Sequence, residues 1–209
     1  MGNRAVITTQ SKKIGVYVHW NGGRDSVEAF LKYCELQQFA SPEKDCYGWA
    51  RLCQVISNFF EGGLSIGIDE YYKLDRDNYD NGVYIIKDWE IVGREFFEGF
   101  EQREHNLDLM LRHIDKKQPK HMQLGEFLDA EEVKTEDLKI GDKVFIYSYR
   151  GNYEKYEVVG FGEDRMVNGT NVKGIPYVNN FENNGSYAEN PNNYIKTDTI
   201  RKLVVAEWK

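Results

Sequence analysis

The run His19-Trp20-Asn21-Gly22-Gly23-Arg24-Asp25-Ser26 gathers the side chains of this 209-residue chain best suited to holding an anion. It lies where a β-prone run ends and a helical pattern begins. Two glycines let backbone approach a ligand closely. A helix start offers free N–H groups and the positive end of a dipole, and Arg24 can grip a phosphate or carboxylate through paired N–H donors. A phosphate or nucleotide suits such a turn. On this reading Gly22 and Gly23 contribute backbone contacts, Arg24 charge, and His19 and Trp20 stacking or edge contacts, with Asn21 and Ser26 as further ligand-binding candidates. A plainer reading uses the same residues otherwise: the glycines make a tight turn, Asp25 or Ser26 caps the helix, and Trp20 packs in the core. The Gly-Lys-Ser/Thr ending of a Walker loop is missing, and the run is no dinucleotide fingerprint.

A second cluster is acidic: Asp69, Glu70, Asp75, Asp77 and Asp80, with Asn78, Asn81 and Gly82 among them. Hard oxygen donors at this density suit Ca²⁺ or Mg²⁺, and a two-metal hydrolase needs such a set. Asp75, Asp77 and Asp80 are therefore the metal alternative, which would make the chain a metal-dependent phosphodiesterase or nuclease. An EF-hand register starting at Asp75 fails, because Asp80 falls where glycine is needed and Ile86 where glutamate is needed. A solvated Asn- and Asp-rich loop is the ordinary expectation. His105, His113 and His121 are too far apart in sequence to share a helical face as an i, i+4 pair, and no serine sits in a nucleophile elbow. Cys34, Cys46 and Cys53 fit no Cys-x-x-Cys signature and read as small buried apolar residues. A cysteine nucleophile with His19 is disfavoured, since thiols on apolar helical faces are inert. No catalytic residue is assigned and no cofactor is called for.

The elements that must position these residues are legible from periodicity. Residues 5–9 and 14–20 are short β-prone runs that predict a hairpin. Val27, Phe30, Leu31 and Cys34 recur at helical spacing. A second helix is expected from Ser41 as cap and Pro42 as first residue, burying Trp49, Leu52, Cys53, Ile56 and Phe60, and ending at Gly62 and Gly63. Residues 64–72 predict a strand, and 83–86 with 90–93 a hairpin turning near Lys87 and Asp88. Leu107, Met110, Leu111 and Ile114 mark a third helix over 101–116. The first unit, 1–130, is thus an α+β domain with helices on a mainly antiparallel sheet. After a charged connection over 117–136, with one short helix near 124–130, come β-rich runs at 143–149, 153–161, 174–178 and 194–205. They predict a small all-β, barrel-like unit over 131–209. Its residues 179–193 are rich in asparagine and read as a long surface loop. Tyr147, Tyr149, Tyr153, Tyr156, Tyr177, Tyr187 and Tyr194 serve either a pleated sheet or a partner-binding surface.

Composition narrows the function classes. Residues 1–130 hold 16 basic against 21 acidic side chains, and the net charge is -7. Neither unit has a basic excess, so duplex nucleic acid is an unlikely partner, while DNA mimicry or a basic partner stays open. No run of about 20 apolar residues exists to span a membrane, and no apolar signal region opens the chain. A cytoplasmic location is expected. The sequons at Asn168 and Asn184 read as turns.

Residues Asn3 to Thr8, His19 to Gly23, Ser26 to Leu31, Asp80 to Ile86 and Glu90 to Arg94 resemble a family of small uncharacterised proteins encoded by phages, plasmids and other mobile elements. The likeness covers about residues 2–98 and leaves the second unit outside it. It implies a setting in the bacterial host's cytoplasm rather than a reaction. Such accessory proteins often inhibit host defence, by binding a defence protein as anti-CRISPR or anti-restriction factors do, by imitating DNA, or by sequestering a nucleotide messenger. The partner expected is accordingly a host defence protein or a small nucleotide ligand.

Overall fold

Alternation of valine, isoleucine and tyrosine draws Ala5–Thr9 (β1) and Ile14–Val18 (β2) into an antiparallel hairpin, with Ile7 opposite Val16. The computed structural model describes residues 2–63, 65–101, 106–147 and 153–162, with strand segments at 165–167, 170–172, 176–180 and 201–202. Two compact units result, 1–123 and 124–209. In the first, β1 and β2 are followed by helices α1 (Arg24–Leu36) and α2 (Tyr47–Phe59), strand β3 (Ile66–Glu70), hairpin β4 (Val83–Lys87) and β5 (Glu90–Glu95), and helix α3 (Leu107–Lys117). The strand order is β3-β2-β1-β4-β5. Three pairings are antiparallel, but β4 runs parallel to β1, Val6 beside Val83. The expected α+β architecture therefore stands on a mixed sheet. From β2 the chain passes through the two helices to β3, which lies beside β2, and only then crosses to the opposite side of β1 as β4, a topology that strand patterning does not reveal.

Being central, β1 is buried along its whole length. Val6, Tyr17, Val83 and Ile85 turn to one face, covered by Tyr71 of a 3₁₀ turn and by Leu74. The alternate residues turn to the helices. Those bury Val27, Phe30, Leu31 and Cys34 from α1, Leu52, Val55 and Ile56 from α2, and Met110, Leu111 and Ile114 from α3. Inside the helical layer the Tyr33 hydroxyl donates to Asp115 at 2.7 Å, a buried polar bond joining α1 to α3. Burial, then Asp115, pushes that phenol's pKa up.

Several expectations need correction. The second helix begins at Tyr47, with Cys46 as its cap. Ser41 starts only a single turn, whose carbonyl accepts from Lys44 and Asp45. A Cβ on Gly48 would lie 2.5 Å from the Pro42 nitrogen, so the two segments are pressed together instead of joined in one helix. Cys46 is consequently exposed, unlike Cys34. Leu107 is also exposed, at the first turn of α3, where Asn106 caps the amide of Leu109.

The second unit contains β6 (Glu131–Glu132), β7 (Lys143–Tyr147), β8 (Tyr153–Phe161), β9 (Arg165–Val167), β10 (Thr170–Val172), β11 (Pro176–Asn180) and β12 (Arg201–Lys202). β9 and β10 form a hairpin, and the others an antiparallel sheet in the order β11-β8-β7-β12-β6. Among the described residues this sheet is open, with β11 and β6 at its edges, rather than a closed barrel. Alternation predicts strands, whereas closure needs a particular stagger between the outer pair. Leu138, Val144, Ile146 and Val158 form the core, and Phe127, in a 3₁₀ turn over Gly125–Asp129, stacks on Tyr153 at 3.6 Å. Most of the expected asparagine-rich loop, and of the last strand, lies outside the described residues.

Gly82 sits at φ +60 where a Cβ would reach the Phe96 carbonyl carbon at 2.6 Å, while Gly62 at φ +76 faces open space. Gly82→Ala is expected to lose about 2–4 kcal/mol, combining backbone strain with overpacking, and Gly62→Ala only about 1 kcal/mol. Urea unfolding of the two variants checks the difference.

Candidate functional site

The His19–Ser26 turn is built around a close backbone crossing. Gly22 donates its N–H to the Asn3 carbonyl at 2.8 Å, and its own carbonyl accepts from the Tyr84 hydroxyl at 3.0 Å. A Cβ there would lie 2.6 Å from the Asn3 oxygen and 2.7 Å from the Arg4 carbonyl carbon. Gly22 thus serves the fold, and both its polar backbone groups are engaged. Gly23 is the N-cap of α1 and accepts from the Val27 N–H at 3.0 Å. Asn21 takes the left-handed conformation, φ 54, with its side-chain amide 3.5 Å from the Ser26 hydroxyl. Ser26 is buried, and its N–H donates to Asp25 at 2.7 Å. His19 is half-buried, with Nδ1 3.3 Å from the Tyr17 hydroxyl and its ring edge-on to Trp20 at 4.8 Å. Trp20 is 44% exposed, a surface residue and not part of the core.

Arg24 lies within two ion pairs. Its Nε donates to Glu28 at 2.6 Å and its Nη1 to Glu101 at 3.3 Å, and the Glu28 bond keeps the guanidinium pKa above its ordinary value. Glu101 is shared with Arg94, whose Nη1 donates to both carboxylate oxygens at 2.9 Å. Arg94 also donates from Nη2 to the Asn81 carbonyl. Its guanidinium is sandwiched 3.8 Å from the Tyr84 ring centre and 3.9 Å from that of Phe97, and only 13% of its side chain is exposed. Its Nε is buried without a partner. Burial pushes the Tyr84 phenol up, against the pull of Arg94. Sequence reasoning did not pick out Arg94 and Glu101 as site residues. Arg94 was marked only as the last residue of a resemblance segment at the end of a predicted strand, and Glu101 only by its place in a run that periodicity assigned to a helix.

Behind the turn, the acidic loop is neutralised from within. Arg4 donates from its backbone and Nε to Asp80 at 3.1 and 2.6 Å, and its Nη1 lies 3.8 Å from Asp75. Burial works against the charge on Asp80, but the Arg4 bonds outweigh it and hold that carboxyl below its usual range. Asp77 is exposed. Asn78 locks the loop by accepting from the Asp80 and Gly82 amides, and Asn81 reaches the Arg4 carbonyl and the Asn3 side chain. Asp75 and Asp80 are brought together on an arginine, and among the described residues no group of three or more ligating side chains is gathered. His113 and His121 are exposed and apart from this region in the fold, on α3 and in the 3₁₀ turn after it, while His105 falls outside the described residues. Burial pushes the Cys34 and Cys53 thiols up, away from thiolate chemistry.

On the opposite face of the sheet, Tyr71 and Lys12 both donate to Glu95, the tyrosine at 2.6 Å. Arg76 lies 5.1 to 5.5 Å from the rings of Tyr71, Tyr72 and Phe96. In the second unit Tyr147 and Tyr153 meet edge-on, and Tyr156 donates to Glu154. Tyr149, Tyr187, Tyr194 and the side chain of Tyr177 lie outside the described residues. No described helix is long and apolar enough to cross a membrane. No family model, curated protein or solved structure matches the chain.

Lys12, then Tyr71, lower the Glu95 pKa from its ordinary 4.5. A carboxyl depressed in the folded state contributes stability in full above its ordinary pKa, and that contribution is lost as pH falls through the folded value. Thermal unfolding of the wild type is therefore expected to weaken below pH 4.5, and Glu95→Gln to reduce that loss. An unchanged pH slope in the variant would contradict the assignment.

Proposed function

We propose that this chain is a non-enzymatic binding protein of a mobile element, acting against a host defence by holding a small anionic ligand of nucleotide type at the His19–Ser26 turn. The observation that carries the reading is the convergence of Arg24 and Arg94 on one carboxylate, Glu101. Two guanidinium groups aimed at a common oxyanion are what recognition of phosphate or carboxylate requires. Arg94 in particular is held by stacking and needs little reordering to bind. Trp20 and His19, on the same turn, supply aromatic surface of the kind that stacks on a base. Gly22, with both its backbone polar groups engaged, shapes this site, and Gly23 remains a candidate for a backbone contact to the ligand.

The mobile-element setting rests on the resemblance of five short segments. It gains interest from where four of them lie: Asn3 and Arg4, Gly22, Asp80 to Tyr84, and Arg94 are joined by direct hydrogen bonds or ring contacts. Segments distant in the chain are thus spent on one locality, next to the turn.

Native mass spectrometry of the protein taken from cells, and after incubation with cyclic and linear nucleotides, tests the function. One nucleotide is expected to remain bound, and Arg24→Ala to lose it while keeping the wild-type circular dichroism spectrum. A bare mass in every mixture would overturn ligand capture and direct the search to a defence protein as partner.

A further inference from the structure

We infer that Glu101 is an internal surrogate for the ligand, and that the Arg24–Arg94 clamp takes a singly charged phosphodiester which displaces it. This rests on the anion-binding reading above and names both the ligand class and a self-competition built into the site. The clamp and its occupant differ in how firmly they are held. Arg94 is fixed by Tyr84 and Phe97 on its two faces and by the Asn81 carbonyl. Arg24 is fixed through Nε to Glu28, one helical turn along α1. Neither guanidinium needs Glu101 to stay in place. Glu101 itself lies in the irregular stretch 96–101, in which Glu98, Gly99 and Phe100 are exposed, Phe100 almost completely. Glu101 belongs to no strand or helix.

Charge selects the ligand. Among the described residues, two cations, Arg24 and Arg94, and three carboxylates, Asp25, Glu28 and Glu101, stand around the clamp. Departure of Glu101 removes one negative charge and, among the described residues, the carboxylate that Arg94 holds. A monoanion restores the original balance, whereas a phosphate dianion would add a charge close to Asp25 and Glu28, where like charges repel. A phosphodiester offers a single charge on two equivalent oxygens, matching the two carboxylate oxygens that Arg94 now holds at 2.9 Å.

A site filled by its own carboxylate binds with an affinity reduced by the fraction of molecules in which it is empty. Titration of dimethyl phosphate, the minimal phosphodiester, followed by ³¹P NMR, is expected to show binding to Glu101→Gln at least about tenfold tighter than to the wild type, as for a clamp open in one molecule in ten. Inorganic phosphate is expected to bind more weakly than the diester, and the double variant Arg94→Lys with Glu101→Gln to lose the gain. Glu101→Ala carries the same expectation should the glutamine variant fold poorly. Equal affinity of the wild type and both Glu101 variants would overturn the surrogate, as would absence of diester binding to any of them, and preference for inorganic phosphate would overturn the charge argument. Retention of a nucleotide by the wild type in native mass spectra, alongside any of these failures, would leave the binding function standing and remove only the role of Glu101.

Discussion

The crossing of Gly22 against Asn3, Arg4 and Ala5 is the constraint on which this end of the first unit depends. Backbone meets backbone there at a distance that admits no side chain. The contact fixes where α1 begins relative to β1, because Gly22 is hydrogen-bonded on one side to Asn3 and on the other to Tyr84 of β4. Arg24, two residues on, inherits its position from that crossing. Tyr84 supports Gly22 with its hydroxyl and Arg94 with its ring, so a single buried phenol registers both arginines of the clamp.

The energetics of the cluster are uneven. The Arg24 pairs with Glu28 and Glu101 are partly exposed, and such pairs contribute at most about 1 kcal/mol each. The Arg94 contacts are of another kind. A guanidinium stacked between two rings gains about 0.5–2 kcal/mol from each, more as water is excluded, and a buried charge left unpaired is costly. Phe96 and Phe97 lie against arginines on opposite faces of the sheet, Arg76 and Arg94. The dipeptide therefore anchors the start of the stretch that carries Glu101, in which residues 98–100 are exposed. A firmly seated cation facing a carboxylate carried outside any strand or helix is an arrangement suited to exchange.

Much of the fold was legible in residue order. Periodicity located α1, the β4–β5 hairpin and strand β8 because each is a local, regular pattern with clear turn residues at its ends; Asp88 and Trp89 take positive φ in a two-residue turn. The parallel pairing of β1 with β4 was not legible, since it depends on the chain crossing from β3, at the edge beside β2, to the far side of β1. The break before α2 was hidden too. Ser41 and Pro42 are sound helix-start residues, and only the close approach of Gly48 shows why the helix starts later. Of the candidate site, Arg24 and the aromatic pair His19 and Trp20 were visible as residue types at a strand-to-helix turn. Arg94 and Glu101 were not, because they meet Arg24 across 70 and 77 residues of chain, a proximity created by the sheet and not by any motif.

Arginine side-chain NH correlation spectra, recorded before and after addition of the nucleotide retained from cells, test the central claim most directly. If Arg24 and Arg94 hold an oxyanion in place of Glu101, their Nε–H signals will shift together on ligand addition while those of Arg4 and Arg76 stay where they were. Unmoved signals from Arg24 and Arg94, or shifts confined to Arg4 or Arg76, would contradict it and locate binding elsewhere on the molecule.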